Sequence, residues 1–237
     1  MNLIQIIFSA IIEGLTEFLP ISSTAHMKFV NPFLGVTQTP VMDMFEVVIQ
    51  LAAILAVVVL YWKKFFDFTR WQFYAKLAIG VTPALIVGFL FSKKIDALLD
   101  SSLTVAITML AGGIVLVFID KAFKKPVIRD EKQLSFLEAF IIGIWQCIAM
   151  IPGVSRSAAS IIGGMQQKLT RNAAAEFSFF LAVPTMLAAT VYKLYKYTKE
   201  NGAFTSEQIK LLSIGNVVAF VIALLAIKFF ITFLKKH

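Results

Sequence analysis

Cysteine is almost absent from this sequence: Cys147 is the only one in 237 residues. No disulfide can form within the chain, and a cysteine-rich metal cluster is excluded. Histidine is nearly as scarce, with two. Charge is thin as well. Asp, Glu, Lys and Arg make up 15% of residues, well below the quarter or so typical of soluble domains. Hydrophobic residues make up 59% and the mean hydropathy is +0.82, so an ordinary soluble domain is excluded. The strict apolar/polar alternation of β-barrel strands is also missing. The first residues, "MNLIQIIFSAII", carry no basic run before their apolar stretch, so a cleavable signal peptide is not expected there.

What is present is a series of long apolar runs, with 23 phenylalanines in the chain. Crossing a hydrocarbon core of about 30 Å takes about 20 helical residues. The runs at 44–61, 77–92, 103–119, 173–192 and 211–234 predict about five spanning helices, and one membrane domain over 1–237. The formal charge of +8 would suggest nucleic acid in a soluble protein. Here the basic residues sit at the ends of apolar runs, in "YWKKFF", "FSKK", "DKAFKK" and "FLKKH". That pattern anchors a chain at the membrane edge and gives no reason to expect nucleic acid. Lys and Arg are more numerous on the side holding 62–76 and 120–135. The expected orientation therefore puts the N-terminus outside the membrane.

Two apolar segments, 3–19 and 136–151, are each broken by proline and followed by a polar cluster and a shorter apolar piece. This pattern predicts two re-entrant helix–loop–helix hairpins. Irregular backbone at membrane depth is tolerated only when buried in protein or lining a wet cavity. Placing Pro20 over Pro152 puts Ser23 on Ser155 and Thr24 on Arg156. Glu46 in "FEVVIQLAAIL" similarly falls on Glu176 in "AEFSFFLAVP". An internal repeat is expected, with units at about 1–119 and 136–234. The first unit crosses an odd number of times, so the second is inverted, an arrangement that brings broken helices together near the midplane. The second unit has two spans after its hairpin where the first has three. The repeat thus leads one to expect a sixth spanning helix, of which the sequence up to "LKKH" shows no run.

The chemistry is concentrated in "EGLTEFLPISSTAHMK" and "IPGVSRSAAS". Glu13 and Glu17 are four apart and share one helix face. Paired carboxylates in a membrane segment face a cavity, share a proton or hold a cation. With no His or Cys cluster, the cation expected is hard, Mg²⁺ or Ca²⁺. Ser22, Ser23, Thr24 and His26 supply hydroxyls and an imidazole, which can cap a helix, bind an anion at its N-terminus, or make an activated nucleophile. The residues do not choose among Ser23, His26 and water for the attack. Arg156 is the only arginine inside an apolar stretch, and its planar fork matches phosphate. Gly153 opens its loop, and Ser155, Ser157 and Ser160 add hydroxyls. A purely structural pairing of Arg156 with Glu13 or Glu17 competes with the phosphate-binding reading. Carboxylates, hydroxyls, histidine and arginine together suit phosphoryl transfer on a lipid-borne phosphate.

These blocks, with "FEVVIQLAAILAVV", "AAEFSFFLAVPTMLAA" and "NVVAFVIALLAIKFF", resemble the bacterial undecaprenyl-diphosphate phosphatases, the bacitracin-resistance phosphatases, over nearly the whole chain. The resemblance implies hydrolysis of undecaprenyl diphosphate to the monophosphate in the bacterial cytoplasmic (inner) membrane, recycling the lipid carrier for peptidoglycan. It also implies a divalent cation, an inverted-repeat fold and a site facing the outer side. It places the family's paired glutamates at Glu13 and Glu17, its hydroxyls at Ser22, Ser23 and Thr24, and its histidine at His26. The phosphate-binding serine and arginine fall at Ser155 and Arg156, beside Ser157 and Gly153. Glu46 and Gln50 are expected to support the site. Ala158 departs from the family's usual glycine, and the family's next helix, with a Tyr-Arg pair, lies beyond "LKKH". The rivals are a lipid-phosphate transporter or flippase, and a phosphatase for other isoprenoid diphosphates. A homodimer is one option for the assembly.

Overall fold

The computed structural model describes residues 2–99, 101–123 and 126–236, with backbone alone for 92–99 and Asp120. The chain is helical almost throughout, and among the described residues it contains no strand beyond an isolated bridge between Ile128 and Leu169. Among those residues, the α-helices run in the order α1 (Leu3–Thr16), α2 (Ser23–Phe33), α3 (Pro40–Leu60), α4 (Trp62–Phe65), α5 (Trp71–Leu99), α6 (Ser102–Ala122), α7 (Phe136–Ile148), α8 (Arg156–Gln166), α9 (Arg171–Asn201) and α10 (Ser206–Lys236). Helices α3, α5, α6, α9 and α10 are long and apolar enough to cross a membrane, so this is an all-α multi-pass membrane protein. They contain the five predicted spans, apart from Tyr61, and extend beyond them at one or both ends. Continuous hydropathy marks only the apolar stretch, and the same helices continue into the more polar residues on either side.

The breaks between helices follow local chemistry. Asn2 and Gln5 form a capping box at α1, and Ser135 and Glu138 form another at α7. Ser22 and Ser155 cap α2 and α8, while Thr39 and Thr170 cap α3 and α9. The same cap chemistry thus recurs, helix by helix, in the two halves.

Helices α1, α2, α7 and α8 have 14, 11, 13 and 11 residues, too few to cross about 30 Å. Gln5 Nε2 donates to the carbonyls of Leu34 and Gly35, tying the start of α1 to the end of α2. That end also holds Thr39 and Thr205, at the starts of α3 and α10. The opposite end holds Lys64 and Arg70, which pair with Glu131 just before α7. The two helix pairs therefore have their open ends at opposite ends of the molecule and meet at their tips.

Packing follows the same exchange. Helix α1 lies on α10 and α7 lies on α5, each hairpin against a long helix of the other half. Both crossings use glycine for close approach: a Cβ on Gly14 would press on the Ala219 carbonyl and Ile222, and one on Gly143 on the Gly80 backbone. Helices α3 and α9 pack together at the centre. Phe177, Phe179 and Phe180 of α9 are fully buried, and Phe179 meets Phe18 edge-to-face at 5.0 Å.

Glu131 is a structural hub. It is 4% exposed and takes Lys64 Nζ at 2.7 Å and Arg70 Nη2 at 2.5 Å. Removing one partner of a buried pair leaves charge unmatched. Glu131→Ala is expected to cost about 3 kcal/mol, read as a lower melting temperature of the detergent-solubilised protein, while Glu138→Ala, which loses only a cap, costs about 1 kcal/mol.

Candidate active site

Glu17 closes the end of α1, and its carboxylate joins the two hairpins. Its Oε1 accepts Arg156 Nη2 at 2.8 Å, and its Oε2 accepts Ser23 Oγ at 2.6 Å. Both distances are in the range of charge-assisted hydrogen bonds. Ser157 Oγ adds a second bridge, donating to the Leu19 carbonyl at 2.8 Å. Residues about 140 apart in sequence are thereby brought within hydrogen-bonding distance.

Arg156 is the first residue of α8. Its Nη1 donates to the Ser178 carbonyl at 3.0 Å, and its guanidinium lies 6.0 Å from the Phe18 ring centre. Ser160 ties the same region together, donating to the Arg156 carbonyl and sharing a 2.7 Å bond with Ser178 Oγ. The Nε of Arg156 is buried and makes no hydrogen bond. One donor of the fork is thus unused and sheltered from water, where an anion would be gripped most strongly.

Gly153 shapes the loop before Arg156. Its φ is +89°, and a Cβ there would strike Thr108 Oγ1 and the Val105 carbonyl of α6. Thr108 Oγ1 also donates to the Pro152 carbonyl. An otherwise exposed helix therefore braces the loop from outside. Gly153→Ala carries both the left-handed strain and the clash. It is expected to lower activity at least tenfold and lower the melting temperature. Val154→Ala, in the same loop, is expected to change activity less than threefold.

Ser22 has φ +67°, unusual for a non-glycine residue. Its Oγ caps α2 at Ala25 N, and its carbonyl meets His26 Nδ1 at 2.8 Å. A carbonyl only accepts, so Nδ1 carries a proton, and in the neutral ring the lone pair then lies on Nε2. Strain of this kind is often stored where a loop must present a reactive group.

Glu13 is fully buried, yet neither of its oxygens accepts a hydrogen bond. A buried carboxylate in that state calls for a cation or a proton. Among the described residues, no cluster of three or more His, Cys, Asp or Glu surrounds it. Its donor set is oxygen only, which fits a hard divalent ion with remaining positions left for water or phosphate oxygens.

The other expected residues are distributed unevenly. Ser155 Oγ caps α8 at Ala158 N and lies 2.9 Å from Ser157 Oγ. A glycine at 158 would supply the same capping N–H. Thr24 is exposed and stands apart from the cluster. Glu46 is held by Asn31 Nδ2 at 2.8 Å, and Asn31 Oδ1 accepts Ser9 Oγ at 3.1 Å. Gln50 follows one turn later on α3 and is partly buried. Sequence reasoning missed Ser9, Asn31, Thr108 and Ser178. A buried polar residue inside an apolar helix was the available signal for Ser9 and Ser178.

The sequence pattern of the family described as bacitracin resistance protein BacA matches residues 6–237. This chain belongs to the BacA family. An undecaprenyl-diphosphatase of Flavobacterium psychrophilum is 57% identical to this BacA-family chain over 237 residues, covering all of it and 89% of that protein. The corresponding protein of Flavobacterium johnsoniae is 53% identical, with 100% and 89% covered. That of Porphyromonas gingivalis is 48% identical over 255 residues, with 100% and 90% covered.

Proposed function

We propose that this BacA-family chain hydrolyses undecaprenyl diphosphate to undecaprenyl phosphate and inorganic phosphate. It thereby recycles a cell-wall lipid carrier and lowers sensitivity to bacitracin. The observation that carries the reading is Glu17 held between Arg156 and Ser23, at the point where two hairpins from opposite ends meet. Matching caps and exchanged packing support an inverted repeat whose hairpins are re-entrant. The lysine and arginine distribution supports placing α1 and its site toward the outer face of the cytoplasmic membrane.

In the proposed mechanism, Arg156 exchanges Glu17 for the terminal phosphate and neutralises its oxygens. Ser23 Oγ passes its proton to Glu17 and attacks the terminal phosphorus. The bond from that phosphorus to the bridging oxygen breaks, and undecaprenyl phosphate leaves with the electron pair. His26 Nε2 then takes a proton from the water that attacks the phosphoserine, the bond from phosphorus to Ser23 Oγ breaks to release inorganic phosphate, and Ser23 Oγ recovers its proton from Glu17. Glu13, with Glu17 beside it, would hold a divalent cation, which when bound supplies charge neutralisation to the phosphoryl oxygens.

The experiment is release of inorganic phosphate by the detergent-solubilised protein. Hydrolysis of undecaprenyl diphosphate without a sealed membrane, lost with a chelator and regained with Mg²⁺ or Ca²⁺, is the expected result. Absence of release across all cations tested would overturn the reading.

A further inference from the structure

A second cluster of buried charge lies at the end of the molecule where α5 and α7 begin. A cavity of about 290 Å³ opens there, and Arg70, Trp71, Phe73, Lys76, Glu131 and Lys132 are among its walls. Glu131, the carboxylate of this wall, is already shared by Lys64 and Arg70. Lys76 is 5% exposed, and its ammonium donates to the carbonyls of Glu131 at 2.9 Å and Lys132 at 3.1 Å. Among the described residues no carboxylate lies within ion-pair distance of Lys76. The neighbouring acids are engaged with backbone: Asp130 accepts the Lys132 N–H, and Glu138 the Ser135 N–H.

A buried ammonium with no carboxylate in ion-pair contact is costly unless an anion joins it. The cavity wall therefore has an excess of positive charge and both cation types that bind phosphate, a planar fork and point charges. Trp71 in its wall is 63% exposed, and Phe66 and Phe68, just before this segment in sequence, are 62% and 77% exposed. An exposed tryptophan beside basic residues marks the level of lipid headgroups.

We propose that this cavity binds a phosphate group, carried by the headgroup of an anionic phospholipid in the leaflet opposite to the one from which α1 enters. The aromatic rim favours the lipid over free phosphate, because a soluble ion makes no use of it. Each cation near the surface is worth about 1 kcal/mol to such a headgroup, or about fivefold in affinity.

The test is native mass spectrometry of the full chain in detergent, titrated with dioctanoyl phosphatidylglycerol, dioctanoyl phosphatidylcholine or inorganic phosphate. Phosphatidylglycerol should bind at least tenfold more tightly than phosphatidylcholine. Lys132→Gln, an exposed change, should weaken it about fivefold, and Lys76→Met at least as much. Lys199→Gln, near the far end of α9, should leave it unchanged. If Lys76→Met fails to fold, Lys132→Gln decides. Equal binding of the two lipids, or no effect of Lys132→Gln, would overturn the proposal. So would displacement of phosphatidylglycerol by an equal concentration of inorganic phosphate, which would assign the cavity to a free anion. Because binding is read without turnover, failure here leaves the phosphatase reading untouched.

Discussion

Arg156→Ala is expected to lower turnover of undecaprenyl diphosphate by about 10³-fold or more, the scale of an arginine that neutralises a transferring phosphoryl group. The guanidinium touches Glu17 with Nη2 and the Ser178 carbonyl with Nη1, while Nε is buried and unused. Lysine offers one point charge in place of this fork and cannot satisfy the carbonyl, the carboxylate and a phosphate together. Arg156→Lys should therefore stay at least a hundredfold below the parent chain. The loss should appear in kcat/KM measured in detergent, with the melting temperature reported alongside. Glu17 left buried without its cation would also destabilise the fold. An Arg156→Ala/Glu17→Ala double variant that regains the melting temperature but not the activity would separate the two effects. Near-native rates for Arg156→Ala would remove Arg156 from the site.

Glu17→Gln is the second large effect, and its signature differs. The amide keeps the shape of the side chain but has one acceptor oxygen for two donors, and it carries no charge. As proton acceptor for Ser23, Glu17 is worth about 10²–10⁴-fold, so kcat should fall by at least a hundredfold. KM should fall too. Arg156 is engaged by Glu17 in the resting protein, and phosphate must displace that partner to bind. Weakening the resting pair removes a cost of binding while also removing the base, and lower kcat with lower KM is the mark of such a change. A merely structural glutamate would give a lower melting temperature with no fall in KM.

Much of this arrangement was legible in the sequence. The five long apolar runs identified the spanning helices, because an unbroken apolar stretch of about 20 residues matches the thickness of a bilayer core. Pro20 and Pro152 marked the two breaks, since proline ends a helix and the polar residues behind it need buried partners. The pairing of Arg156 with a glutamate was open to either Glu13 or Glu17, and the structure selects Glu17. Spacing alone could not decide it, because both carboxylates share a helix face and only the depth of the opposing hairpin distinguishes them.

Other features had little or no side-chain signature. The Leu19 and Ser178 carbonyls that receive Ser157 and Arg156 are backbone atoms, which any residue would supply. The Thr108 brace on Pro152 depends on where α6 lies, and α6 reads as an ordinary apolar run. Glu131 is one acid in a lysine-rich loop, and its burial arises from the segments around Lys64, Arg70 and Lys76 converging on it. Thr24 illustrates the opposite failing. It sits beside Ser23 in sequence, but the first turn of α2 directs adjacent residues to different faces, leaving Thr24 exposed.

Attack on the terminal phosphorus by Ser23, deprotonated by Glu17, is the central step of the proposed reaction. Rapid acid quench of a single turnover, using undecaprenyl diphosphate labelled in its terminal phosphate, tests it most directly. Label attached to protein before phosphate appears in solution, and located on Ser23 by mass spectrometry, is the predicted result. Label on His26, or full release of phosphate with no labelled protein at any time, would contradict it.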